Sequence, residues 1–159
     1  MLDQITGVEI KQFIIKNADW GIYVYKSSEN IIKENSITEN SLGVIFTSKG
    51  YSINNIFYHN NFFNNEYNVY SSGGNYWFNS EINEGNYWDN YEGIDEKNDG
   101  IGDTPYQIPG GDDEDTYPWM HIDGKSKSKN LVNNIFSNIK NHIIFLILNK
   151  VFFLGELLQ

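Results

Sequence analysis

The strongest constraint on the fold of this chain is an internal repeat with a period of 22 to 25 residues. Residues 21–25 (GIYVY) are echoed by residues 43–47 (GVIFT), and residues 68–71 (NVYS) form a third copy. Residues 30–37 match residues 55–62 in the same way. A repeat of this length is typical of solenoids, in which each copy folds into one coil and packs on the next.

Each copy of the repeat contains short segments in which apolar residues alternate with other residues. Ile22 and Val24 in one copy correspond to Val44 and Phe46 in the next. Alternation places one set of side chains on one face of a strand. Asparagine interrupts these segments too often for long hairpin strands, and no Asn-Gly hairpin turn separates them. The sequence therefore predicts an all-β parallel solenoid of roughly three coils, built from short strands and tight turns.

Asparagine recurs at equivalent positions of successive copies. Asparagine tolerates the left-handed backbone conformation of tight turns. Stacked asparagines can also bond one another through their side-chain amides, as in cross-β ladders. Asn35 with Asn60, and Asn40 with Asn65, are the predicted ladder pairs. Turn asparagines with solvated side chains are the alternative.

The net charge of −10 is concentrated in one segment. Residues 81–123 contain thirteen acidic residues and a single basic one, Lys97, and the chain has no arginine. Such a charge distribution repels phosphate groups, which argues against nucleic acid as a partner. The chain also lacks cysteine, which excludes disulfides and thiolate metal sites.

An aromatic motif, Gly-Asn-Tyr-Trp, occurs at residues 74–77 and again at residues 85–88. We expect Trp77 and Trp88 to cover the exposed end of the solenoid core, because an open end of a sheet stack requires protection. A platform on which sugar rings stack is the alternative interpretation of the same two residues.

The acidic segment contains a candidate calcium loop at residues 95–103. Asp95, Asp99 and Asp103 occupy positions 1, 5 and 9, and Ile101 can offer its carbonyl oxygen. Calcium prefers such oxygen ligands, and a glycine after position 5 permits the sharp turn. Lys97 at position 3 departs from the pattern, so a solvated acidic turn is the alternative, and calcium binding is expected to be weak. Further carboxylates that could complete the shell follow at Asp112, Asp113 and Asp115.

The spacing Asn-x4-Asn-x-Ile-x2-Asn-x2-Gly-[Ile/Val] resembles that of NosD-like and CASH proteins, which are right-handed parallel β-helices. Residues 85–91, 99–106 and 117–120 resemble the closing segment of archaeal, methanogen-type members. The resemblance covers about residues 5–122. It implies a secreted or cell-surface solenoid, of which this chain is expected to be the C-terminal end, cut from a longer protein. No signal peptide is visible at the start of the chain.

The family name also carries an association with copper, which this sequence supports poorly. The three histidines, His59, His121 and His142, are scattered along the chain. The methionines are Met1 and Met120. A copper site requires several converging nitrogen or sulfur donors.

Two functions from different classes remain open. The first is a non-catalytic cell-surface module, structural or in contact with polysaccharide or cell-surface glycan, and stabilised by calcium. The second is the remnant of a polysaccharide lyase or hydrolase whose catalytic coils lie elsewhere. Glu34 and Glu39 are interpreted as solvated side chains rather than a catalytic pair. We therefore expect no catalytic residues in this chain.

The predicted organisation has four parts. Coils occupy residues 1–79, the acidic aromatic cap residues 80–122, a basic polar linker residues 123–130 and an apolar tail residues 131–159. The apolar runs of the tail are shorter than the 18 or so residues that a membrane-spanning helix requires. An interfacial helix in contact with a membrane, a helix or strand docked on the solenoid, and a missing or mistranslated downstream region are the three interpretations of the tail.

Overall fold

Short β-strands and one 3₁₀ helix make up the structure, a computed structural model in which residues 1–47 and 50–124 are described. In chain order the elements are β1 (Leu2–Asp3), β2 (Glu9–Lys11), β3 (Ile14–Lys16), β4 (Trp20–Tyr25), β5 (Ile31–Lys33), β6 (Ser36–Thr38), β7 (Leu42–Phe46), β8 (Ile56–Tyr58), β9 (Asn61–Phe63), β10 (Tyr67–Tyr70), β11 (Tyr87–Trp88), β12 (Tyr106–Gln107), β13 (Glu114–Asp115) and η1 (Ile122–Gly124).

The strands stack into three parallel sheets, and each full coil contributes one strand to each sheet. The first sheet has the order β1-β4-β7-β10, the second β2-β5-β8, and the third β3-β6-β9-β11. Strands β12 and β13 pair antiparallel beyond the coils. Strands that are far apart in sequence but adjacent and parallel in space define a solenoid, so the fold prediction is confirmed.

The stack is about four turns deep, rather than three, because strands extend it at both ends. Leu2–Asp3 pairs with the end of β4, although a two-residue strand carries too little pattern to be recognised as a repeat. Tyr87–Trp88, which the sequence assigns to the cap, pairs in parallel with Asn61 and Phe62 of β9. The first part of the predicted cap is thus a continuation of the third sheet.

The register of the coils follows the repeat. In the first sheet Ile22 pairs with Val44, and Val44 pairs with Val69, so three buried aliphatic side chains form one column of the core. In the third sheet Ile37 pairs with Phe62, which pairs with Trp88. In the third sheet the core side chains therefore become larger toward the C-terminal end, where aromatic rings close the core.

In most of the turns the left-handed residue is the one before the ladder asparagine. Glu34, Glu39, His59 and Asn64 have φ angles of 56°, 55°, 58° and 55°. The asparagine that follows directs its side chain along the solenoid axis, so the residue before it adopts the left-handed conformation that turns the chain. Left-handed tolerance is therefore not the property for which the ladder asparagines are needed.

Residues 125–159 hold the predicted apolar tail and most of the predicted linker, and they lie outside the described residues. Within the described part of the chain, no helix has the length and hydropathy needed to cross a membrane.

Candidate functional site

The predicted asparagine pairs are bonded through their side chains. The Asn35 Nδ2 atom donates to the Asn60 Oδ1 atom at 3.0 Å, and Asn40 donates to Asn65 at 3.0 Å. The same Oδ1 atoms accept the backbone N–H of Asn35 and of Asn40. Each asparagine thus satisfies backbone and side-chain groups of the preceding coil in the buried turn.

A further ladder was not identified from the sequence. Asn30 donates to Asn55 at 2.9 Å, and Asn55 donates to Asn75 at 2.9 Å. The step from Asn55 to Asn75 spans 20 residues instead of 25, which obscured the repeat. The first ladder likewise continues from Asn60 to Asn86 at 2.9 Å. Asn75 and Asn86 are the asparagines of the two Gly-Asn-Tyr-Trp motifs. Their shared motif is the sequence signal from which the continuation of both ladders could have been predicted.

Asp115 ends the ladder that runs through Asn86. Its Oδ2 atom accepts the Asn86 backbone N–H at 2.7 Å and the Trp88 indole N–H at 2.9 Å, and its Oδ1 atom accepts the Tyr117 N–H at 3.1 Å. The carboxyl group lies so close to Gly85 that any side chain at that position would collide with it. Burial raises the pKa of Asp115 to about 7, against the effect of these hydrogen bonds.

The other ladders also end at aspartates. Asp113 accepts the Gly74 N–H at 2.8 Å and the Trp77 indole N–H at 3.3 Å. Asp89 accepts the side-chain amide of Asn68 at 2.8 Å. A carboxylate only accepts hydrogen bonds, so it can terminate a column of amide donors without needing an acceptor of its own. The sequence offered Asp113 and Asp115 as further calcium ligands, whereas their oxygens bind donors of the fold.

The stability of the protein should depend on pH through Asp115. The raised pKa means that the folded protein binds the carboxyl proton of Asp115 more tightly than the unfolded chain does. Protonated Asp115 therefore stabilises the fold below its ordinary pKa, and this contribution to the free energy of unfolding is lost as the pH rises through about 7. We expect a lower free energy of unfolding at pH 8 than at pH 5. Urea denaturation across this range measures it, and the Asp115→Asn variant should lose that part of the dependence. A stability that rises with pH and is unchanged in the variant would contradict the assignment.

Trp77 and Trp88 lie in the core at the C-terminal end of the coils. They are 0% and 1% exposed. The Trp77 ring stacks on Phe57 with centroids 4.5 Å apart, and the Trp88 ring stacks on Phe62 at 4.3 Å. Rings that are covered on both faces cannot serve as a sugar-stacking platform, so that alternative does not apply to these two residues.

In the loop at residues 95–103 the three predicted aspartates do not form a metal-binding group, and other groups bind their oxygens. Asp95 accepts the Asp99 backbone N–H at 3.1 Å, and Asp99 accepts the Ile101 N–H at 2.9 Å. The Lys97 ammonium group forms an ion pair with Asp103 and holds the pKa of that carboxyl below its usual range. The lysine thus occupies a position where a metal ion would need an oxygen ligand.

Two exposed acids of the coils pair with lysines. Glu9 lies 3.0 Å from Lys11 and 3.1 Å from Lys33, and these partners hold its pKa below the ordinary value. Glu39 lies 3.8 Å from Lys16. These ion pairs belong to the second and third sheets, where they form ordinary solvated surface.

The outer face of the first sheet has a different character. The strands β4, β7 and β10 contain no charged residue. Trp20, Tyr67 and Tyr70 are at least half exposed there, and the Trp20 ring stacks on Tyr23 with centroids 5.3 Å apart. Sequence reasoning missed this face because it considered only the inward positions of the strands. We call Trp20, Tyr67 and Tyr70, together with the half-buried Tyr23, the aromatic face.

Comparison with known proteins identifies the family of the solenoid. The family model described as "Periplasmic copper-binding protein (NosD)" matches residues 1–93, which include the coils and strand β11. This chain belongs to the NosD family. Searches of curated proteins and of solved structures gave no match. The NosD match ends within the predicted cap, so it covers the repeat rather than the acidic loop.

The described residues do not fit the copper in the description of the NosD family. Within residues 1–47 and 50–124, no three His, Cys, Asp or Glu side chains lie together as a metal site. The His59 ring stacks on Trp119 with centroids 4.5 Å apart, and its Nε2 atom pairs with Glu84. One imidazole and one carboxylate, both in structural contacts, fall short of a copper ligand set.

Proposed function

We propose that this chain is a non-catalytic β-helix module outside the cytoplasm that contacts carbohydrate through the aromatic face. The observation that carries the proposal is the uncharged, aromatic outer side of β4, β7 and β10. The description of the NosD family as periplasmic supports the location. A polysaccharide or cell-surface glycan is the partner that fits such a surface.

The arrangement of the rings suits an extended chain of sugars. Trp20 and Tyr67 both align with Leu42 of the intervening strand, so they occupy one row across three coils. Tyr23 and Tyr70 align with Ile45 in the same way. Neighbouring strands are about 4.8 Å apart, so the rings of each row lie roughly 10 Å apart along the solenoid axis. Aromatic rings offer apolar faces to sugar C–H groups, while tyrosine hydroxyls can hydrogen-bond at the edges.

The distribution of charge among the three sheets supports the aromatic face as the surface that contacts carbohydrate. Charged residues occupy outward positions of the second and third sheets, such as Glu9, Lys33 and Lys16. A contiguous exposed apolar surface rimmed by polar residues is a common sign of an interaction site. The first sheet offers such a surface on β4, β7 and β10.

Binding of glycan to the aromatic face should be visible in tryptophan fluorescence. Trp20 is 54% exposed, whereas Trp77, Trp88 and Trp119 are buried. We expect a glycan that binds to change the emission of Trp20, and the Trp20→Ala variant to bind about fivefold more weakly. The matched control is Tyr76→Ala, because Tyr76 is 51% exposed and lies outside the first sheet.

The outcome of a glycan panel decides between binding and catalysis. Retention on immobilised polysaccharide without release of new reducing or unsaturated ends is the expected result. Cleavage of the polysaccharide, or an affinity that is unchanged in Trp20→Ala, would contradict the proposal.

Calcium binding at the loop of residues 95–103 is a separate proposal, and it requires Lys97 to leave Asp103. The Lys97→Gln variant removes the competing positive charge. At about 10 mM calcium, a site of the weak extracellular type should stabilise this variant by about 1–3 kcal/mol, and more than it stabilises the unaltered chain. Thermal unfolding with magnesium at equal concentration as the control measures the difference. Equal melting temperatures with and without calcium in both proteins would exclude the site.

A further inference from the structure

A groove lies at the C-terminal end of the aromatic face. It has a volume of about 670 Å³, which is within the range of about 300–1,000 Å³ that is usual for small-ligand sites. We call it the tyrosine groove. Its lining residues that matter here are Tyr67, Tyr70, Tyr106, Glu66 and Asp89.

The rings of the tyrosine groove are held at different depths. Tyr67 and Tyr70 stand exposed on β10. Tyr106 is fixed beneath them, since its ring stacks on the buried Trp88 with centroids 4.4 Å apart. Burial raises the pKa of the Tyr106 hydroxyl, so this ring stays neutral over the physiological range. The groove therefore has a rigid aromatic floor and two accessible rings at its wall.

The polar groups of the groove are acidic or neutral. Glu66 and Asp89 are exposed carboxylates, and Asn65, Asn68 and Asn90 contribute amides. Within residues 1–47 and 50–124, no lysine lines the groove. The Asp89 carboxylate is fixed in position by the N–H groups of Asn64 and Asn68, at 2.6 Å and 2.8 Å. A surface of this kind repels anionic ligands and attracts cations.

We propose that the tyrosine groove binds glycan units that carry a protonated amine. An ammonium group can make two kinds of favourable interaction in this groove. One is a cation–π interaction with the faces of Tyr67 and Tyr70, and the other is charge-assisted hydrogen bonding to Glu66 and Asp89. An acetylated amine carries no charge and loses both interactions, and the carboxylate of a uronic acid is repelled by Glu66 and Asp89. The inference rests on the proposed carbohydrate contact and adds a chemical preference to it.

The test compares sugars that differ only in the charge of the amine. Glucosamine oligomers should bind the full chain about tenfold more tightly than N-acetylglucosamine oligomers of equal length, as measured by calorimetry at low salt. Polygalacturonate should not bind. Raising the salt concentration should weaken glucosamine binding and leave the binding of the acetylated oligomers unchanged, because only the former depends on charge.

Variants locate the preference within the groove. Glu66→Gln removes an exposed carboxylate and should weaken glucosamine binding about threefold without affecting the acetylated oligomers. Tyr70→Ala should weaken binding of both, whereas the equally exposed Tyr76→Ala should change neither. Equal affinity for both oligomers, or binding of polygalacturonate, overturns the amine preference while the proposed function stands. Absence of binding to any glycan overturns both.

Discussion

Replacing Asn60 with alanine is expected to lower the free energy of unfolding by about 3 kcal/mol or more. The Asn60 side chain is fully buried. Its Oδ1 atom accepts two hydrogen bonds from Asn35, at 3.1 Å and 3.0 Å. Its Nδ2 atom donates to the Ile32 carbonyl at 2.8 Å and to Asn86 at 2.9 Å. Alanine removes these four hydrogen bonds from a site that water does not reach, and each such loss costs about 1 kcal/mol or more.

Chemical denaturation measures the effect, with two further variants for comparison. Asn98→Gly changes an exposed asparagine in a left-handed conformation that glycine adopts freely, so it should change stability by less than about 0.5 kcal/mol. Asn60→Asp keeps the acceptor but loses both donors, and we expect it to be no more stable than Asn60→Ala. A loss below about 1 kcal/mol for Asn60→Ala would mean that the ladders contribute little to stability.

Replacing Trp88 with alanine should destabilise the protein by about 3–5 kcal/mol. The indole is sandwiched between Phe62 and Tyr106, with ring centroids 4.3 Å and 4.4 Å away. Its loss opens a cavity at the C-terminal end of the core. It also removes the 2.9 Å hydrogen bond to the buried carboxyl of Asp115.

A series at Trp88 separates the two contributions. Trp88→Phe retains most of the stacking but not the indole N–H, so it should fall between the unaltered chain and Trp88→Ala. The control, Trp20→Ala, removes an exposed indole and should cost less than about 1 kcal/mol. If Trp88→Ala were as mild as Trp20→Ala, Trp88 would not be a closing element of the core.

The sequence predicted the coils well because the repeat period and the alternation of apolar residues both follow from strand stacking. The pairing of Ile22, Val44 and Val69 could be read from their spacing alone. The ends of the stack could not be read in this way. Leu2–Asp3 is too short to carry a pattern, and Tyr87–Trp88 joins the third sheet across an irregular connection.

The candidate sites were harder to predict because carboxylates look alike in a sequence. In the sequence, nothing distinguishes Asp113 and Asp115 from Asp99. In the structure, they accept hydrogen bonds from tryptophan indole N–H groups and from backbone N–H groups of the ladder asparagines. Spacing along the chain gives no information about which donors fold back onto each acid. The aromatic face was overlooked for a related reason: outward residues such as Tyr67 and Tyr70 do not contribute to the core pattern from which the fold was inferred.

The asparagine ladders give the solenoid a dipole along its axis. Ladder amides that have a following asparagine donate to it, as from Asn35 to Asn60 to Asn86, and their Oδ1 atoms accept N–H groups of the preceding coil, so these side-chain dipoles are aligned along the axis. As in an α-helix, such alignment places partial positive charge at the end where the donors point. Asp113 and Asp115 lie at that end. In their ionised form the closing carboxylates neutralise the positive pole of the stack, which for Asp115 requires a pH above about 7, and reversing any one ladder amide would oppose the field of its neighbours.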